Sequence, residues 1–248
     1  MASEKIKVLR LAHVHYQHPD LDKAASFLED FGLIENNRTP SRIYYRGIGV
    51  QPYIYVAEKS PDSQRHFLGG TWVVESAKDL QKAASHPGSS EIKPNDGPGG
   101  GQVVTIVDPN GFNVSFIHGQ TFRNDNPEDL SYIREEAVGI ASNTSLQKPR
   151  KGNFRRFKQG ASPVAKLGHY GYMVPEENYQ RTMDWYTSIM NLKPTDAIYN
   201  PETGEDETCF NHIDLGETFT DHHVSIPILY TLMVSLTFGP ELLRRTQS

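Results

Sequence analysis

Hydrophobic and polar residues alternate along two similar stretches of this chain, and in each stretch the alternation stops at a proline. The stretches cover residues 11–20 and 167–176, and leucine, histidine, tyrosine, proline and an acidic residue recur between them at a constant offset of 156 positions. Such alternation predicts a half-buried strand, and the proline indicates where a helix begins. A supersecondary unit that occurs twice predicts a duplicated fold.

The residues that follow the first stretch predict a β-α-β-β-β unit. Apolar residues recur at helical spacing after Pro19, and Gly32 ends the helix. Three short strands are predicted next, at residues 33–38, 42–46 and 52–57. A second unit of the same kind is predicted after them, with a helix at residues 77–85 and strands at residues 67–74, 90–93, 102–107 and 112–117. Residues 5–118 are therefore expected to hold two β-α-β-β-β units.

Two segments rich in glycine and proline are interpreted as connections rather than sites. Residues 108–111 read Asp-Pro-Asn-Gly and predict a tight turn between antiparallel strands, in which Asp108 caps the turn and Pro109 fixes φ. Residues 97–101 read Gly-Pro-Gly-Gly-Gly and lack the Gly-Lys-Ser/Thr that a phosphate-binding P-loop needs. We interpret them as a flexible loop before a strand.

The second stretch predicts one further β-α-β-β-β unit. Its helix is expected at residues 176–190 and its later strands at residues 197–200, 208–215 and 219–226. Residues 227–248 then remain, too few for another complete unit. We predict an α+β fold of tandem units that form curved mixed sheets, with a first domain at residues 1–120, a connector at 121–165 and an incomplete second domain at 166–248.

Composition and charge exclude several classes of protein. The chain of 248 residues carries a net charge of −5, which argues against nucleic acid as its main partner, and a basic segment at residues 148–158 is interpreted as a solvated connector. Cys209 is the single cysteine, so no internal disulfide framework is expected. No secretory signal and no membrane-spanning apolar run is visible. We expect a cytoplasmic protein that binds neither nucleic acid nor a membrane.

Alternation along the strands assigns two histidines to the open side of a curved sheet. In the predicted strand at residues 166–174 the apolar side chains share one face, which leaves His169 on the other. In the predicted strand at residues 219–226 the same test places His223 opposite the apolar set. The alternative for His169 is a hydrogen-bonded structural histidine, since imidazole has many structural uses.

The other candidate residues have simpler interpretations. His13 and His15 share a strand face and could chelate a metal together, but no carboxylate stands at a suggestive spacing beside them. His212 is expected to point outward with Asp214. Cys209 lacks the motif of a catalytic thiol and is interpreted as a small core residue.

These features together resemble the vicinal oxygen chelate superfamily, which includes glyoxalase I, bleomycin-resistance proteins and type I extradiol dioxygenases. The resemblance rests on the paired β-α-β-β-β units, the Leu-x-His openings, and the sequence Asp-Pro-Asn-Gly-Phe-Asn-Val-Ser-Phe at residues 108–116. Two tandem domains with His169 at the head of the second resemble the extradiol dioxygenases most, particularly the dihydroxybiphenyl dioxygenase-like proteins. The resemblance covers about residues 5–226.

The resemblance implies a ferrous ion held by two histidines and one glutamate, with a catechol and dioxygen at the open positions. Carried over by position, His169 matches the first metal ligand and His223 matches the acid/base histidine. In the first domain the expected metal carboxylate is Ser115, and the expected histidine falls near Gly69. The first domain is therefore predicted to be non-catalytic.

The sequence departs from the family after His223. The family's second histidine ligand and its glutamate belong to the last β-α-β-β-β unit, which residues 224–234 do not resemble. We expect a truncated or alternatively read C-terminus, two missing ligands, and an open sheet edge that favours self-association into a homo-oligomer. Glu241, the single acidic residue of this tail, is not expected to reach His169.

Three functions follow from the resemblance. The leading one is an extradiol ring-cleaving dioxygenase-like protein that acts on a catechol-type aromatic with Fe(II), and that is inactive if two metal ligands are missing. The second is a metal-independent binding module of the bleomycin-resistance kind, in which a concave sheet holds a flat small molecule. The third is a lyase or isomerase of the same superfamily. Iron content and oxygen uptake separate the first function from the others, and stabilisation by a ligand without metal favours the second.

Overall fold

The computed structural model describes residues 4–124, 164–217, 225–228 and 237–238. Its first part is a mixed sheet of eight strands with two helices packed against it. The strands are β1 (Val8–His18), β2 (Ile34–Arg38), β3 (Arg42–Arg46), β4 (Tyr55–Lys59), β5 (His66–Val74), β6 (Lys93–Pro94), β7 (Gln102–Val107) and β8 (Asn113–His118), and the helices are α1 (Leu21–Phe31) and α2 (Ala77–Ala84). No helix within the described ranges has the length and apolar character needed to cross a bilayer.

Two β-α-β-β-β units build this sheet, as the sequence predicts. The strand order is β2-β3-β4-β1-β5-β8-β7-β6. Within each unit the first strand pairs in parallel with the last, β1 with β4 and β5 with β8. The two first strands, β1 and β5, pair antiparallel at the centre. The units therefore join edge to edge into one sheet.

The first helix forms where the apolar spacing predicts it. The carboxylate of Asp20 accepts hydrogen bonds from the backbone N–H groups of Asp22 and Lys23, which satisfies two donors that a helix N-terminus leaves open. Leu28 is among the side chains that the helix buries. Gly32 ends the helix with φ at 112°, a left-handed conformation that favours glycine.

Two strands of the first sheet begin three residues later than the sequence predicts. β4 begins at Tyr55 rather than at Pro52, although the backbone N–H of Ile54 still donates to the carbonyl of Tyr45 over 2.7 Å. β6 begins at Lys93 rather than at Ser90. Ser90 is still hydrogen-bonded to Thr105. Its backbone N–H donates to the carbonyl of Thr105, but the N–H of Thr105 donates to the side-chain hydroxyl of Ser90 and not to a backbone carbonyl, as it would in a regular ladder. The neighbouring segment is therefore irregular.

The second part of the structure repeats the first unit. Its elements are β9 (Val164–Lys166), β10 (Tyr170–Met173), a 3₁₀ turn (Glu176–Asn178), α3 (Tyr179–Ile189), β11 (Leu192–Tyr199), β12 (Asp206–Ile213), β13 (Ser225–Ile228) and β14 (Thr237–Phe238). The order β10-β13-β12-β11 matches the order β1-β4-β3-β2 of the first unit. The helix predicted at residues 176–190 is present, with its first turn in the 3₁₀ form.

The pairing registers confirm the duplication. Val14 of β1 pairs in parallel with Tyr55 of β4, and Tyr170 of β10 pairs in parallel with Ser225 of β13. Tyr170 is the residue that the offset of 156 positions matches to Val14. The first strand of each copy, β1 or β10, therefore pairs in parallel with the last strand of its unit, β4 or β13, in the same register.

Strand β14 occupies the place that the end of β5 has in the first sheet. Thr237 pairs antiparallel with Lys166, just as Val73 pairs with Arg10. Lys166 and Arg10 are again 156 positions apart. The sequence predicted no strand at residues 237–238. The register matches them to the end of β5, the first strand of the second unit in the first sheet.

One aromatic core joins the two sheets. Tyr170 and Tyr172 of β10 pack against Phe67 and Phe112 of the first sheet, with ring centroids between 5.3 and 6.4 Å apart. Gly70 permits this approach, because a Cβ there would lie 2.6 Å from the ring of Tyr170. The two sheets therefore share a core.

A second junction joins the N-terminal segment to the second sheet. The backbone N–H of Ile6 donates to the carbonyl of Ile189 over 2.7 Å. The amide of Asn191 accepts from the N–H of Val8 over 2.8 Å and donates to the carbonyl of the same residue over 3.1 Å. Paired backbone groups of this kind fix the direction of the chain as well as its position.

Candidate functional site

His169 is half-buried and lies in the gap between β9 and β10. The prediction of an unbroken strand at residues 166–174 is wrong for residues 167–169. The chain changes partner at this gap, because β9 pairs with β14 whereas β10 pairs with β13. His169 therefore stands at the head of β10, directly before the paired segment.

The predicted division of faces holds along β10. Tyr170 and Tyr172 are buried in the core that the two sheets share. Met173, on the opposite face, is 42% exposed. Because neighbouring residues of a strand alternate between faces, His169 is expected on the side of Met173, away from the core.

His223, the predicted acid/base residue, lies outside the described residues, as does Glu241. The strand predicted at residues 219–226 is described from Ser225 onward. Within the ranges that the structure describes, no group of three or more His, Cys, Asp and Glu side chains is arranged to hold a metal ion. The roles assigned to His169 and His223 therefore stay predictions.

Two further candidates lie on β12 and have structural surroundings. Cys209 is buried, and burial raises the pKa of its thiol to about 11, so the thiol stays protonated at neutral pH. Nδ1 of His212 lies 2.7 Å from Oγ1 of Thr195 on the neighbouring strand β11. Asp214 forms an ion pair with Lys193. None of these contacts leads toward His169.

His13, the equivalent of His169 in the first copy, lies on the face of the first sheet opposite the helices, which we call the open face. It is 8% exposed, and its Nε2 lies 3.0 Å from Oγ1 of Thr71. Its Nδ1 has no hydrogen-bond partner. Burial lowers the pKa of His13 to about 3, and the charge of the nearby His15 contributes to the shift. The imidazole is therefore neutral at physiological pH.

Acidification should destabilise the protein through His13. The unfolded chain protonates this histidine near its ordinary pKa of 6.5, whereas the folded protein does so only near pH 3, so the unfolded state binds more protons in between. The contribution of neutral His13 to stability is fully present above pH 6.5 and is lost as the pH falls below that value. At about pH 5 the free energy of unfolding should be lower by about 2 kcal/mol. Urea unfolding of the wild type should show this loss, and His13→Gln should show a flatter pH dependence. Equal pH dependences would mean that His13 is not held neutral by the fold.

The histidine pair on β1 has a carboxylate neighbour that spacing along the sequence did not reveal. Oε2 of Glu58 lies 3.3 Å from Nε2 of His15, because β4 runs beside β1. Burial tends to raise the pKa of Glu58, but hydrogen bonds from Gln17 and Arg42 outweigh this and hold the pKa below its usual value. Glu58 is therefore an anion that already has two donors.

Asp108 links the first sheet to the elements that flank His169. Its carboxylate accepts hydrogen bonds from the backbone N–H groups of Asn110 and Phe112, and also from the hydroxyls of Tyr172 and Tyr186, over 3.1 and 3.2 Å. Tyr172 lies on β10 and Tyr186 on α3. The sequence identified Asp108 only as a turn cap, because nothing local signals partners that lie 64 and 78 positions away.

An acidic cavity of about 540 Å³ lies between α3 and the hairpin of β11 and β12. Its lining includes four carboxylates, from Glu176, Glu205, Asp206 and Glu207. None of the histidines that the sequence singled out is among its lining residues. The cavity therefore lies apart from the predicted site.

No protein-family model matches the sequence, and a search of curated proteins finds no match. Solved structures do match. The Mn(II)-bound glyoxalase from Novosphingobium aromaticivorans matches with a TM-score of 0.64 and 14% identity, over 89% of this chain and 62% of that one. Homoprotocatechuate 2,3-dioxygenase from Brevibacterium fuscum, in complex with 3,4-dihydroxyphenylacetate, matches with a TM-score of 0.66 and 17% identity, over 92% of this chain and 62% of that one. A room-temperature structure of an extradiol ring-cleaving dioxygenase from B. fuscum matches with a TM-score of 0.66 and 16% identity, over 92% of this chain and 55% of that one.

These likenesses confirm the predicted fold. A glyoxalase and an extradiol dioxygenase are two of the kinds of protein that the sequence resembles, and both share its architecture of tandem β-α-β-β-β units. At 14–17% identity the likeness shows the vicinal oxygen chelate fold and nothing finer. The chain spans 55–62% of the length of these three structures.

Proposed function

We propose that the protein is an extradiol dioxygenase-like protein that binds a catechol-type aromatic in a hollow of the second sheet, between His169 and His223. The fold that it shares with homoprotocatechuate 2,3-dioxygenase supports this proposal. A neutral imidazole has one donor and one acceptor nitrogen, so two facing imidazoles suit two adjacent hydroxyls. We further propose that this hollow belongs to a second domain at residues 166–248, joined to a domain at 1–120 by a connector.

One observation in the first sheet carries the proposal. The pairing of Val14 with Tyr55 is equivalent to the pairing of Tyr170 with Ser225, and counting back two residues from Ser225 and from Tyr55 matches His223 in the sequence to Tyr53. The ring centroids of Tyr53 and His13 lie 4.4 Å apart. Since His13 corresponds to His169, the same geometry in the second copy would bring the two imidazoles to the rim of one hollow.

The two histidines would have different tasks toward a bound catechol. His169, at the head of β10, would accept a hydrogen bond from one hydroxyl and orient the ring. His223 would take the proton of the second hydroxyl, the acid/base role that the resemblance implies for it. Asp108 would hold β10 in place through Tyr172.

Iron is the cofactor that the resemblance implies, and the described residues do not fit it. His169 would supply one of the three ligands of a site with two histidines and one carboxylate. No described group of three side chains completes such a site.

Binding of a catechol to the metal-free protein tests the proposal. Titration with 3,4-dihydroxyphenylacetate, followed by isothermal calorimetry, should saturate. His169→Ala should weaken binding about tenfold, the effect of one hydrogen bond worth about 1.4 kcal/mol. His212→Ala is the matched control and should bind like the wild type, because His212 contacts Thr195 on the neighbouring strand.

Two results would decide against the assignment. Saturable binding that is equally strong in the wild type and in His169→Ala would place the ligand elsewhere, and absence of binding would remove the catechol hypothesis. Addition of Fe(II) under argon separates the role of the metal. If Fe(II) tightens binding only when His169 is present, residues beyond the described ranges supply the remaining ligands, and oxygen uptake then tests ring cleavage.

A further inference from the structure

The acidic cavity lies on the side of the second sheet that α3 covers. Tyr179, in the first turn of α3, lines it together with residues of β12 and of the turn that precedes this strand. The helix packs over β12, because Nδ2 of Asn211 lies 3.7 Å from Sδ of Met183. His169 is expected on the other face of the sheet, beside Met173. The cavity is therefore separate from the site proposed for a catechol.

Glu207 is half-buried in the lining of the acidic cavity, at a β-bulge. Ile198 pairs with Thr208 and Tyr199 pairs with Asp206, so Glu207 is the extra residue of β12 between two paired positions. A bulge redirects a side chain, and bulges recur beside functional sites. The strand therefore departs from its regular ladder at the residue that carries this charge.

The carboxylates of the acidic cavity have no cationic partner among the described residues. Carboxylates elsewhere on the sheets do have one, as Asp214 has in Lys193 and Glu58 has in Arg42. A charge that is partly buried without a counter-charge is unfavourable. A cationic ligand would remove this cost for the four carboxylates that line the cavity, which belong to Glu176, Glu205, Asp206 and Glu207.

Tyr179 gives a second, independent indication of a ligand. Its side chain is 7% exposed, and its hydroxyl has no hydrogen-bond partner in the described part of the chain. Burial raises the pKa of this phenol, and the charges of Cys209 and Asp206 add to the shift, so the hydroxyl lies near a carboxylate of the cavity. The side chain of Asp206 is exposed, and exposed side chains reorient within nanoseconds. A cation that binds Asp206 therefore reaches the phenol oxygen as well.

The spread of the four carboxylates suits an extended ligand rather than a metal ion. No three described His, Cys, Asp or Glu side chains are arranged to hold one metal ion. The volume of the cavity, about 540 Å³, is that of a site for a small molecule.

We propose that the acidic cavity binds a linear polyamine, a flexible chain of amino groups separated by methylene groups. Each ammonium group has three donors, which bind the lining carboxylates and the phenol oxygen of Tyr179. The methylene groups pack against the ring of Tyr179, as the stems of long cationic side chains do on apolar surfaces.

Isothermal calorimetry with spermidine at low ionic strength tests this assignment in the intact chain. We expect saturable binding of one spermidine per chain, and weaker binding as salt is added, because salt screens exposed charges. Glu207→Gln should weaken binding about fivefold, since it keeps the shape of the side chain and removes its charge. Glu177→Gln is the matched control and should bind like the wild type, because Glu177 lies in the same turn as Glu176 but does not line the cavity.

Tyr179→Phe distinguishes a binding role of the hydroxyl from a structural one. The substitution removes a buried group that has no partner, so the ligand-free variant should unfold at the temperature of the wild type or above it. Its affinity for spermidine should fall about threefold, the effect of one hydrogen bond. Lower thermal stability with unchanged affinity would show that the hydroxyl is structural and would contradict the assignment.

Four further outcomes would overturn the assignment. Absence of saturable binding would remove the ligand, and equal losses of affinity in Glu207→Gln and Glu177→Gln would show attraction to net charge alone. Saturable binding of Ca²⁺ but not of spermidine would identify a metal site, and binding of trilysine but not of spermidine would identify a site for a basic peptide. If Glu207→Gln is unfolded, Glu205→Gln, at an exposed position, takes its place in the comparison.

Discussion

Replacement of Asp108 by alanine should lower the free energy of unfolding by about 3–5 kcal/mol, because two buried hydroxyls and two backbone N–H groups lose their acceptor. The wild-type carboxyl group is 4% exposed and accepts four hydrogen bonds. Alanine would leave the hydroxyls of Tyr172 and Tyr186 buried without an acceptor, and each such group costs about 1–3 kcal/mol. The substitution would also remove the acceptor of the backbone N–H groups of Asn110 and Phe112, in the turn that connects β7 to β8.

Two variants separate the hydrogen bonds from the mere loss of a carboxylate. Asp108→Asn keeps one acceptor oxygen and should lose less, about 1–2 kcal/mol. Asp184→Ala removes an exposed carboxylate from α3 and should change stability by less than about 0.5 kcal/mol. Urea unfolding, followed by tryptophan fluorescence, measures all three. If Asp108→Ala unfolds at the same urea concentration as Asp184→Ala, the carboxylate does not hold the two sheets together.

Gly69→Ala should cause the second large loss, about 4 kcal/mol, as the sum of backbone strain and a steric clash. Gly69 has φ at 121°, which L side chains rarely adopt. A Cβ at this position would lie 1.9 Å from the carbonyl oxygen of Asn113 on β8. Because that atom belongs to backbone, the substitution would separate β5 from β8.

Gly88→Ala provides the matched control for Gly69→Ala. Gly88 also has positive φ, at 78°, but a Cβ there would meet no heavy atom within 4 Å. The control should therefore show strain alone, about 1–2 kcal/mol. Thermal and urea unfolding of both variants give the difference, which measures the contact between β5 and β8. Equal losses of stability in Gly69→Ala and Gly88→Ala would show that the backbone of β8 can move away from the added Cβ at no cost in free energy.

The fold was predictable because it depends on patterns that recur along the chain. Alternation gave β1, helical spacing gave α1, and the shared offset of Leu11 and Leu167 gave the duplication that the strand registers confirm. Two of the errors fall where a strand changes its partner. The gap at residues 167–169 and the strand at 237–238 depend on which strand lies alongside, and no local pattern encodes that information.

The candidate site was less predictable, because its contacts are formed between distant strands. The alternation of side chains along a strand singled out His169. It could not predict that Glu58 lies beside His15 or that two tyrosines donate to Asp108. The pairing of Thr71 with Ser115 is also invisible in the sequence, where the two residues are 44 positions apart (115 − 71). Side chains on one strand can be assigned to a face from sequence, whereas neighbours across strands require the register.

The ring of Tyr170 fills the space where residue 70 would carry a Cβ, so the two halves of the chain are matched at one point of close approach. An exchange of the first half for that of a homologue would succeed only where the incoming segment also has glycine there. The two copies of the unit are therefore not interchangeable parts, because each has the shape that the other requires at this contact.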